Sequence, residues 1–390
     1  ETALNLSQNI PWTGGSLFLE TSAQRMDLFS EHKYSWQTSP IMIGYRQSLF
    51  GYNSLKWDKR IEPVRYQEAK KSYVETLELV SANAINKFFA LATAQSNYDI
   101  ASFNYANADT LYRYAQGRYN IGTITENEML QLELNRLTEE TNRMNARIEM
   151  DNCMQELRSY LGIQEEREIR VRVSSRIPDF SINLNEALAL AYENSPDIQT
   201  MKRRKLESES AVARARANAG LKADIYLRFG LTQTADKLPE AYRNLLDQQY
   251  VSLSISLPIL DWGRGKGQVR VARSNRDLVY TQVEQNRTDF ELNVRKLVKQ
   301  FNLQTQRVRI AARTDETAQR RNEVARKLYI LGKSTILDLN ASISEKDSAR
   351  RNYVSALYNY WSLYYTLRSM TLYDFESNKL LTEDYNLLIE

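Results

Sequence analysis

The distribution of proline and glycine restricts most of this chain to two long helical stretches. No proline occurs between Pro63 and Pro178, where the only glycines are Gly117, Gly122 and Gly162. From residue 268 to residue 390 there is again no proline, and a single glycine stands at position 332. Because proline and glycine are the residues that break or weaken helices, both stretches are predicted to be helical over most of their length.

Each helical stretch is interrupted near its middle by the pattern Tyr-x-x-Gly, at Tyr119 to Gly122 and at Tyr329 to Gly332. A glycine readily adopts the left-handed conformation that ends a helix. Each stretch is therefore predicted to be a hairpin of two helices, over about 64–161 and about 268–372. At 1.5 Å per residue the two first arms would be roughly 80 and 95 Å long, which is wider than an ordinary globular core.

In the first arm of each hairpin, residues spaced alternately by three and four form a coiled-coil seam that is mostly apolar, with small or polar residues at some core positions. The residues of the first arm are Val74, Leu77, Ser81, Ala84, Phe88, Leu91, Gln95 and Tyr98, and those of the second are Val283, Phe290, Val294, Leu297, Phe301 and Val308. Each seam is narrow, so most of the helix surface is expected to be wet.

The sequence contains an internal repeat. Gly122 and Gly332, Tyr119 and Tyr329, and Leu157 and Leu367 are pairs with the same offset of 210 residues. The first repeat is predicted to span 1–182, with a linker over 162–182, and the second to span 183–390, with a lead-in helix at about 184–222 and a C-terminal tail. We expect the repeats to form one intertwined domain, and an N-terminal helical segment matching the lead-in to precede residue 1.

The offset also relates segments in which apolar and polar residues alternate. Four strands are predicted at about 15–24, 39–50, 224–234 and 250–260. Residues 1–12 alternate as well, so an extra strand or hairpin near Pro11 to Gly15 remains open. Ten-residue strands with one apolar face suit a bilayer barrel, and the alternative is a soluble antiparallel sheet. Four strands cannot close a barrel, so a membrane barrel would require further chains.

Composition excludes several classes of protein. A single histidine, His32, and a single cysteine, Cys153, leave no zinc cluster, disulfide framework or Cys–His chemistry. The net charge of +4, from 52 basic and 48 acidic residues, does not indicate nucleic-acid binding. No apolar run reaches the 18 residues of a membrane-spanning helix. We predict that the protein is not an enzyme and has no cofactor or metal.

Three segments together resemble the TolC family of outer-membrane efflux proteins. They are the strand-to-helix exit LPILDWGRGKGQVRVARSNRD and the two hairpin turns, YNIGTITENE and YILGKSTILDL. The resemblance implies a mainly α fold with a small β part, in which long antiparallel coiled-coil hairpins and four transmembrane strands per chain form a trimeric α/β barrel with an internal two-fold repeat.

The resemblance also implies a function. The chain would be one third of a passive exit duct of a tripartite efflux or type I secretion system, gated at the periplasmic hairpin tips. Its partners would be two further copies in a homotrimer, a periplasmic adaptor protein, an inner-membrane transporter and outer-membrane lipid. The location would be the outer membrane of a Gram-negative bacterium, extending into the periplasm. The alternative function is a soluble coiled-coil scaffold or adaptor with a small β cap.

The resemblance assigns gate roles at the hairpin tips to Asp338, Glu128, Tyr329 and Tyr119. Rings of carboxylates in a trimer would attract cations. The alternative is that the two acids are solvated helix residues and that the tyrosines pack against neighbouring helices. Ser334, where the family has a basic residue, and Ala341, which lacks a second inner carboxylate, depart from the pattern.

Two further sets of residues are candidates for structural roles. The tip residues Gly122, Thr123, Gly332 and Lys333 would form the turns where the adaptor docks. Gly263, Gly265 and Gly267 have the wrong spacing for a phosphate-binding loop, which needs four residues between its glycines. They are predicted instead to form the bend between a strand and a helix.

Overall fold

The structure is a computed structural model that describes residues 1–30, 33–165, 168–174, 177–257, 259–331 and 333–381. His32, Gly332 and the end of the predicted C-terminal tail lie outside the described residues. The strands are β1 (Thr2–Ile10), β2 (Gly15–Leu28), β3 (Lys33–Ser48), β4 (Lys222–Ala235), β5 (Leu246–Ser256), β6 (Tyr373–Asp374) and β7 (Lys379–Leu380). The helices are α1 (Ser54–Asn120), α2 (Glu126–Leu161), α3 (Leu184–Asn194), α4 (Pro196–Ala219), α5 (Arg264–Ile330) and α6 (Ile336–Thr371), with a 3-10 turn at Glu240–Tyr242.

The chain is mainly helical with a small β part, which confirms the fold class at that level. The four long helices follow the predicted offset: α5 and α6 begin and end 210 residues after α1 and α2. The paired helices have equal lengths, 67 residues for α1 and α5 and 36 residues for α2 and α6. The same pattern of helix signals therefore gives the same elements in both halves.

The main sheet has five antiparallel strands in the order β1-β2-β3-β4-β5, so the prediction of four strands was wrong. The additional strand is β1, which pairs with β2 from Thr2–Ala23 to Ile10–Gly15. A tight turn makes this pairing possible: Gly14 has a φ of +76°, and its N–H donates to the carbonyl of Ile10 at 2.9 Å. The alternation of residues 1–12 was thus the correct signal.

The two faces of this sheet differ in chemistry, because residues that pair directly lie on the same face. One face carries exposed apolar side chains: Leu4, Leu6, Leu17, Leu19, Ile41, Ile43, Phe229, Val251, Leu253 and Ile255. The other face carries rows such as Ser16, Arg46, Tyr226 and Ser252. The ladder between β3 and β4 is irregular between Thr38 and Ile41, where Pro40 has no N–H to donate.

Helix α1 begins at Ser54 rather than at the predicted residue 64, and Pro63 lies inside the helix. The start is fixed by Asn53, whose side-chain oxygen accepts a hydrogen bond from the N–H of Lys56 at 3.0 Å. Such a cap satisfies one of the free N–H groups of the first helical turn. The prediction gave Pro63 too much weight and missed this cap.

The predicted lead-in helix over 184–222 is two helices, α3 and α4. The break falls at Ser195, which is extended with a ψ of 136°, and α4 starts at Pro196. Proline disfavours a helical conformation in the residue before it and is well suited to the first position of a helix. Pro196 therefore ends one helix and begins the next.

The chain divides into two compact units. The first contains 1–70 and 196–289, and the second contains 71–195 and 290–390. In the first unit, α1 and α4 are joined by Arg203, whose guanidinium contacts Glu68 at 2.6 Å and Glu207 at 3.0 Å. Helices α4 and α5 are joined by an ion pair between Lys205 and Glu284 at 3.1 Å.

The second unit contains a layer of helices in the order α2-α1-α6-α5. Arg143 of α2 lies 4.1 Å from the ring centroid of Tyr105 in α1. Asn104 of α1 donates to Asp347 of α6 at 2.7 Å, and these two helices run in opposite directions. Gln304 of α5 donates to the carbonyl of Ala356 in α6 at 3.0 Å. Helices α1 and α6 are thus central, and α2 and α5 are lateral.

The expectation of one narrow seam was wrong for α1, because this helix is central in the layer. The predicted residues Val74 and Leu91 are buried, but so is a second set with seven-residue spacing: Ala94, Ala101, Ala108 and Ala115. A helix with a neighbour on either side needs two apolar seams, and alanine allows close approach. In α5 the predicted Val283, Phe290, Val294, Phe301 and Val308 are buried.

Aromatic side chains form the core where α5 and α6 meet. Tyr360, Tyr364 and Phe301 are the largest fully buried side chains, and the Phe301 ring lies 5.2 Å from that of Tyr360. The Tyr360 hydroxyl donates to the carbonyl of Pro178 at 2.9 Å. Asn302 exchanges two hydrogen bonds of 2.9 Å with the backbone of Ile182. The linker after α2 is thereby attached to this core.

Candidate functional site

The first hairpin tip is a regular helix-ending turn built around Gly122. Its φ is +71°, and its N–H donates to the carbonyl of Tyr119 at 2.9 Å. The N–H of Thr123 donates to the carbonyl of Arg118 at 2.9 Å, and so does its hydroxyl. The two backbone bonds are those of a Schellman motif, which needs a left-handed residue at the glycine position. This confirms the conformation expected of Gly122.

The second tip repeats part of this pattern. Lys333 donates its N–H to the carbonyl of Leu328 at 2.9 Å, which is the bond that Thr123 makes 210 residues earlier. The predicted turn glycine of this tip, Gly332, lies outside the described residues.

The two predicted gate acids each close a capping box at the start of a helix. The Thr125 hydroxyl accepts from the N–H of Glu128 at 3.2 Å, and the Glu128 carboxylate accepts from the N–H of Thr125 at 3.0 Å. Thr335 and Asp338 make the same pair of bonds at the start of α6, both at 3.2 Å. Each box satisfies two N–H groups that would otherwise lack a helical partner.

Asp338 has more hydrogen-bond donors around it than Glu128 does. Its Oδ2 also accepts from the hydroxyls of Thr335 at 2.7 Å and Ser334 at 3.3 Å. The side-chain hydrogen bond from Thr335, followed by the backbone bond from the same residue, lowers the pKa of Asp338 from its usual value. Asp338 is therefore an exposed, ionised carboxylate held in one orientation.

Sequence reasoning missed the threonines that hold these acids. The signal was present as Thr-x-x-Glu at residues 125–128 and Thr-x-x-Asp at residues 335–338, directly before the helical runs. The alternative to a gate role was that the two acids are solvated helix residues. Helix capping is one specific version of that alternative. It does not compete with a pore-facing role, because a capping carboxylate on an exposed tip keeps its charge.

The predicted tyrosines lie one turn before each tip. Tyr119 is 38% exposed, and Tyr329 is partly buried. In the part of the chain that the structure describes, no hydrogen bond joins either tyrosine to Glu128 or Asp338. Within one chain the four candidate gate residues therefore lie in two separate pairs: Tyr119 and Glu128 at the first tip, and Tyr329 and Asp338 at the second.

The glycines of the strand-to-helix bend have different roles. Gly263 needs a positive φ, +79°, and Gly265 lies so close to α4 that an added Cβ would come within 3.0 Å of the Ala219 Cβ. Gly267 has open space around its Cα. The bend is organised by Asp261, which accepts from the N–H groups of Gly265 at 2.8 Å and Gly263 at 2.9 Å.

Asp261 is a second residue that sequence reasoning missed. The hydrogen bonds from the backbone of Gly265, and then Gly263, lower the pKa of Asp261. An Asp two residues before a glycine at the start of a helix is a turn signal in its own right. These backbone N–H groups are occupied by Asp261, so the loop is a bend and not a phosphate cradle.

Over the described ranges, no cluster of three or more His, Cys, Asp or Glu side chains could hold a metal ion. Cys153 is half-buried on α2, and burial raises the pKa of its thiol. No helix among the described residues is long and apolar enough to cross a membrane.

Comparison with known families decides the identity of the second half of the chain. Residues 187–371 match the model of the family described as outer membrane efflux protein. Residues 187–371 are an outer membrane efflux protein domain. This confirms the resemblance seen in the sequence. The match covers just under half of the chain.

Several solved structures have the same fold as nearly the whole of this chain. The CmeC outer membrane channel of Campylobacter jejuni has a TM-score of 0.73 at 15% identity, covering 97% of this chain and 81% of that one. The MtrE outer membrane channel of Neisseria gonorrhoeae, in an open state, has a TM-score of 0.69 at 13% identity, covering 98% and 82%.

VceC, an outer membrane protein of Vibrio cholerae, has a TM-score of 0.68 at 15% identity, covering 92% of this chain and 86% of that one. No curated protein sequence matches the chain.

The capping boxes predict a local effect at the tip of the efflux domain. Replacing Thr335→Ala should weaken the start of α6 by about 1 kcal/mol, and amide exchange of residues 336–339 should become roughly fivefold faster. Hydrogen exchange with mass spectrometry measures this. Thr317→Ala is a matched control, because among the described residues the Thr317 hydroxyl donates only to a carbonyl of its own helix, at 2.8 Å.

The same cap should depend on pH through Asp338. Since the folded-state pKa is lowered, the stabilisation is complete above the pKa of the unfolded chain and is lost as the pH falls through the folded value. Protection of residues 336–339, corrected for intrinsic rates, should fall at pH values below the usual pKa of aspartate, 3.8. Asp338→Asn should remove this pH dependence. Equal protection in wild type and Thr335→Ala at every pH would contradict the capping role.

Proposed function

We propose that three copies of this chain form a passive outer-membrane exit duct, gated at the hairpin tips and completed by an adaptor protein and an inner-membrane transporter. The observation that carries the proposal is that both lateral helices of the helical layer keep an exposed coiled-coil seam. On α2 the seam consists of Leu130, Leu134, Leu137, Met144 and Ile148, each between 45% and 66% exposed. On α5 it consists of Leu303, Ile310 and Val324, each between 48% and 58% exposed.

Exposed seams with heptad spacing need a partner helix. Helices α1 and α6 cover each other within the chain, so the helices left to cover these seams are α2 and α5 of further copies. Pairing α2 of one copy with α5 of the next is head-to-tail, and such contacts form closed rings when the rotation closes. Three copies are the number that the resemblance to the TolC family implies.

The sheet supports the same arrangement. Strands β1 and β5 stand at the two ends of the strand order, so among the described residues each has one edge without a partner strand. Strands β1 and β5 run in the same direction, because every neighbouring pair between them is antiparallel. Joining β5 of one copy to β1 of the next, as a parallel pair, would satisfy both edges and place the apolar face outward in lipid. The exposed apolar face is the feature that a soluble scaffold with a β cap does not explain.

The tips provide the gate in this proposal. Three copies of Asp338 and Glu128, fixed in orientation by their capping threonines, would form rings of negative charge around the entrance. The turn residues Gly122, Thr123 and Lys333 would present the surface where the adaptor docks. Preferential binding of the adaptor to an open arrangement of the tips would shift the population toward the open state. Transport energy would come from the inner-membrane transporter.

The internal repeat gives a cross-linking test of the trimer. Asn104 of α1 and Asp347 of α6 are in contact within the chain. Moving each by the repeat offset, forward for Asn104 and backward for Asp347, gives Thr314 of α5 and Leu137 of α2. Both residues are exposed in the single chain. If neighbouring copies pair as the repeats do, Thr314 of one copy faces Leu137 of the next.

In a Cys153→Ser background, the double variant Leu137→Cys and Thr314→Cys should therefore cross-link on oxidation into a covalent trimer. Non-reducing electrophoresis should show species up to the trimer and none larger, because a closed ring uses every cysteine. Each single-cysteine variant should remain a monomer on the same gel and serves as the control. A protein that stays monomeric and soluble without detergent, or a ladder extending beyond the trimer, would rule out the proposed assembly.

The gate predicts an effect of Asp338 on ion selectivity. Asp338→Asn keeps an oxygen that can accept from Thr335 but removes the charge, so cation selectivity in planar bilayers should decrease. The measurement is the reversal potential under a salt gradient, which should move toward zero. The control is Asp277→Asn, which removes an exposed carboxylate near the start of α5, at the end of that helix away from the tip. It should leave the reversal potential unchanged. An unchanged potential in Asp338→Asn would remove this residue from the gate.

A further inference from the structure

Three aromatic side chains on the polar face of the sheet, Phe18, Tyr226 and Tyr250, form a connected surface that we call the aromatic floor. Phe18 of β2 is only 8% exposed, although it stands on this face. Its ring lies directly on Gly44 of β3, where an added Cβ would come within 2.1 Å of the Phe18 Cζ. Because Gly44 has no side chain, the Phe18 ring reaches across β3 and stacks on Tyr226 of β4, with 5.7 Å between ring centroids.

The floor continues onto β5. Tyr226 meets Tyr250 edge to face at 5.8 Å, and Tyr250 is 50% exposed. Three rings on three strands thus form one connected surface. Its outermost ring is open for a further flat group to pack against.

Two arginines border the aromatic floor. The guanidinium of Arg46 lies 5.5 Å from the centroid of Tyr226, and Arg228 donates from Nη2 to the Gln248 side chain at 3.3 Å. Among the described residues neither arginine has a carboxylate within ion-pair distance, and Arg228 Nε has no hydrogen-bond partner. Neither positive charge is therefore held in an ion pair by the described residues.

We propose that Phe18, Arg46, Tyr226, Arg228, Gln248 and Tyr250 form a binding surface for solutes that combine a flat aromatic ring with an anionic group. A guanidinium matches the planar oxygens of a carboxylate or sulfonate, and the neighbouring rings supply a surface for stacking. The inference rests on the proposed duct, because the polar face then lines the lumen and three copies of the surface encircle it. The acidic tips and this basic surface would act on passing solutes with opposite sign.

The test uses purified protein in planar lipid bilayers, with 1-naphthalenesulfonate as the probe. It should block the current reversibly, whereas methanesulfonate, which has the anion without the ring, should need at least a tenfold higher concentration. In the variant Arg46→Gln with Arg228→Gln, the half-blocking concentration of naphthalenesulfonate should rise about tenfold or more, the loss expected for two charge-assisted contacts. Tyr226→Leu should also weaken the block while keeping both charges.

Two controls accompany these variants. Arg25→Gln removes an arginine of the same sheet that is paired with Asp27 at 2.8 Å, and the block should be unchanged. The variant Arg46→Lys with Arg228→Lys keeps the charge and should retain part of the block, which separates charge from misfolding. Normal conductance with an unchanged block in the double glutamine variant would overturn the binding surface alone. Absence of conductance from wild-type trimers would overturn the duct and this inference with it.

Discussion

The constraint on which the rest of the structure depends is that one chain cannot satisfy its own sheet. In the part of the chain that the structure describes, strands β1 and β5 each have an edge without a partner strand, and ten large apolar side chains on one face are exposed. In lipid an unpaired backbone edge costs several kcal/mol for each group, so the proposed duct has to close its sheet with other chains. The exposed seams of α2 and α5 give the helical layer the same need.

The repeat shows how strongly the backbone conformation is maintained when the residues differ. Gly162 ends α2 in the left-handed region with a φ of 68°, and Leu372, 210 residues later, ends α6 in the same region with a φ of 47°. Glycine adopts this conformation freely, but for leucine it costs roughly 1–2 kcal/mol. Leu372 is 2% exposed, so the burial of its side chain offsets that cost. The fold, rather than the residue, determines the turn.

The sequence was most informative where a single residue decides the local conformation. The absence of proline predicted the long hairpins, and Gly122 predicted the left-handed turn at the first tip. The sequence was least informative where the local structure depends on neighbouring elements. The cap at Asn53 was hidden by Pro63, and the second seam of α1 is recognisable only once a helix is known to lie on either side. The capping threonines Thr125 and Thr335 stand in recognisable Thr-x-x-Glu and Thr-x-x-Asp motifs, so their role could have been predicted from the sequence.

The claim that three chains close one duct is tested most directly by electron microscopy of the protein purified in detergent. If three chains close one duct, the end-on class averages will show three-fold symmetry around a central opening. Particles of a single chain, or averages with two-fold symmetry and no opening, would contradict it.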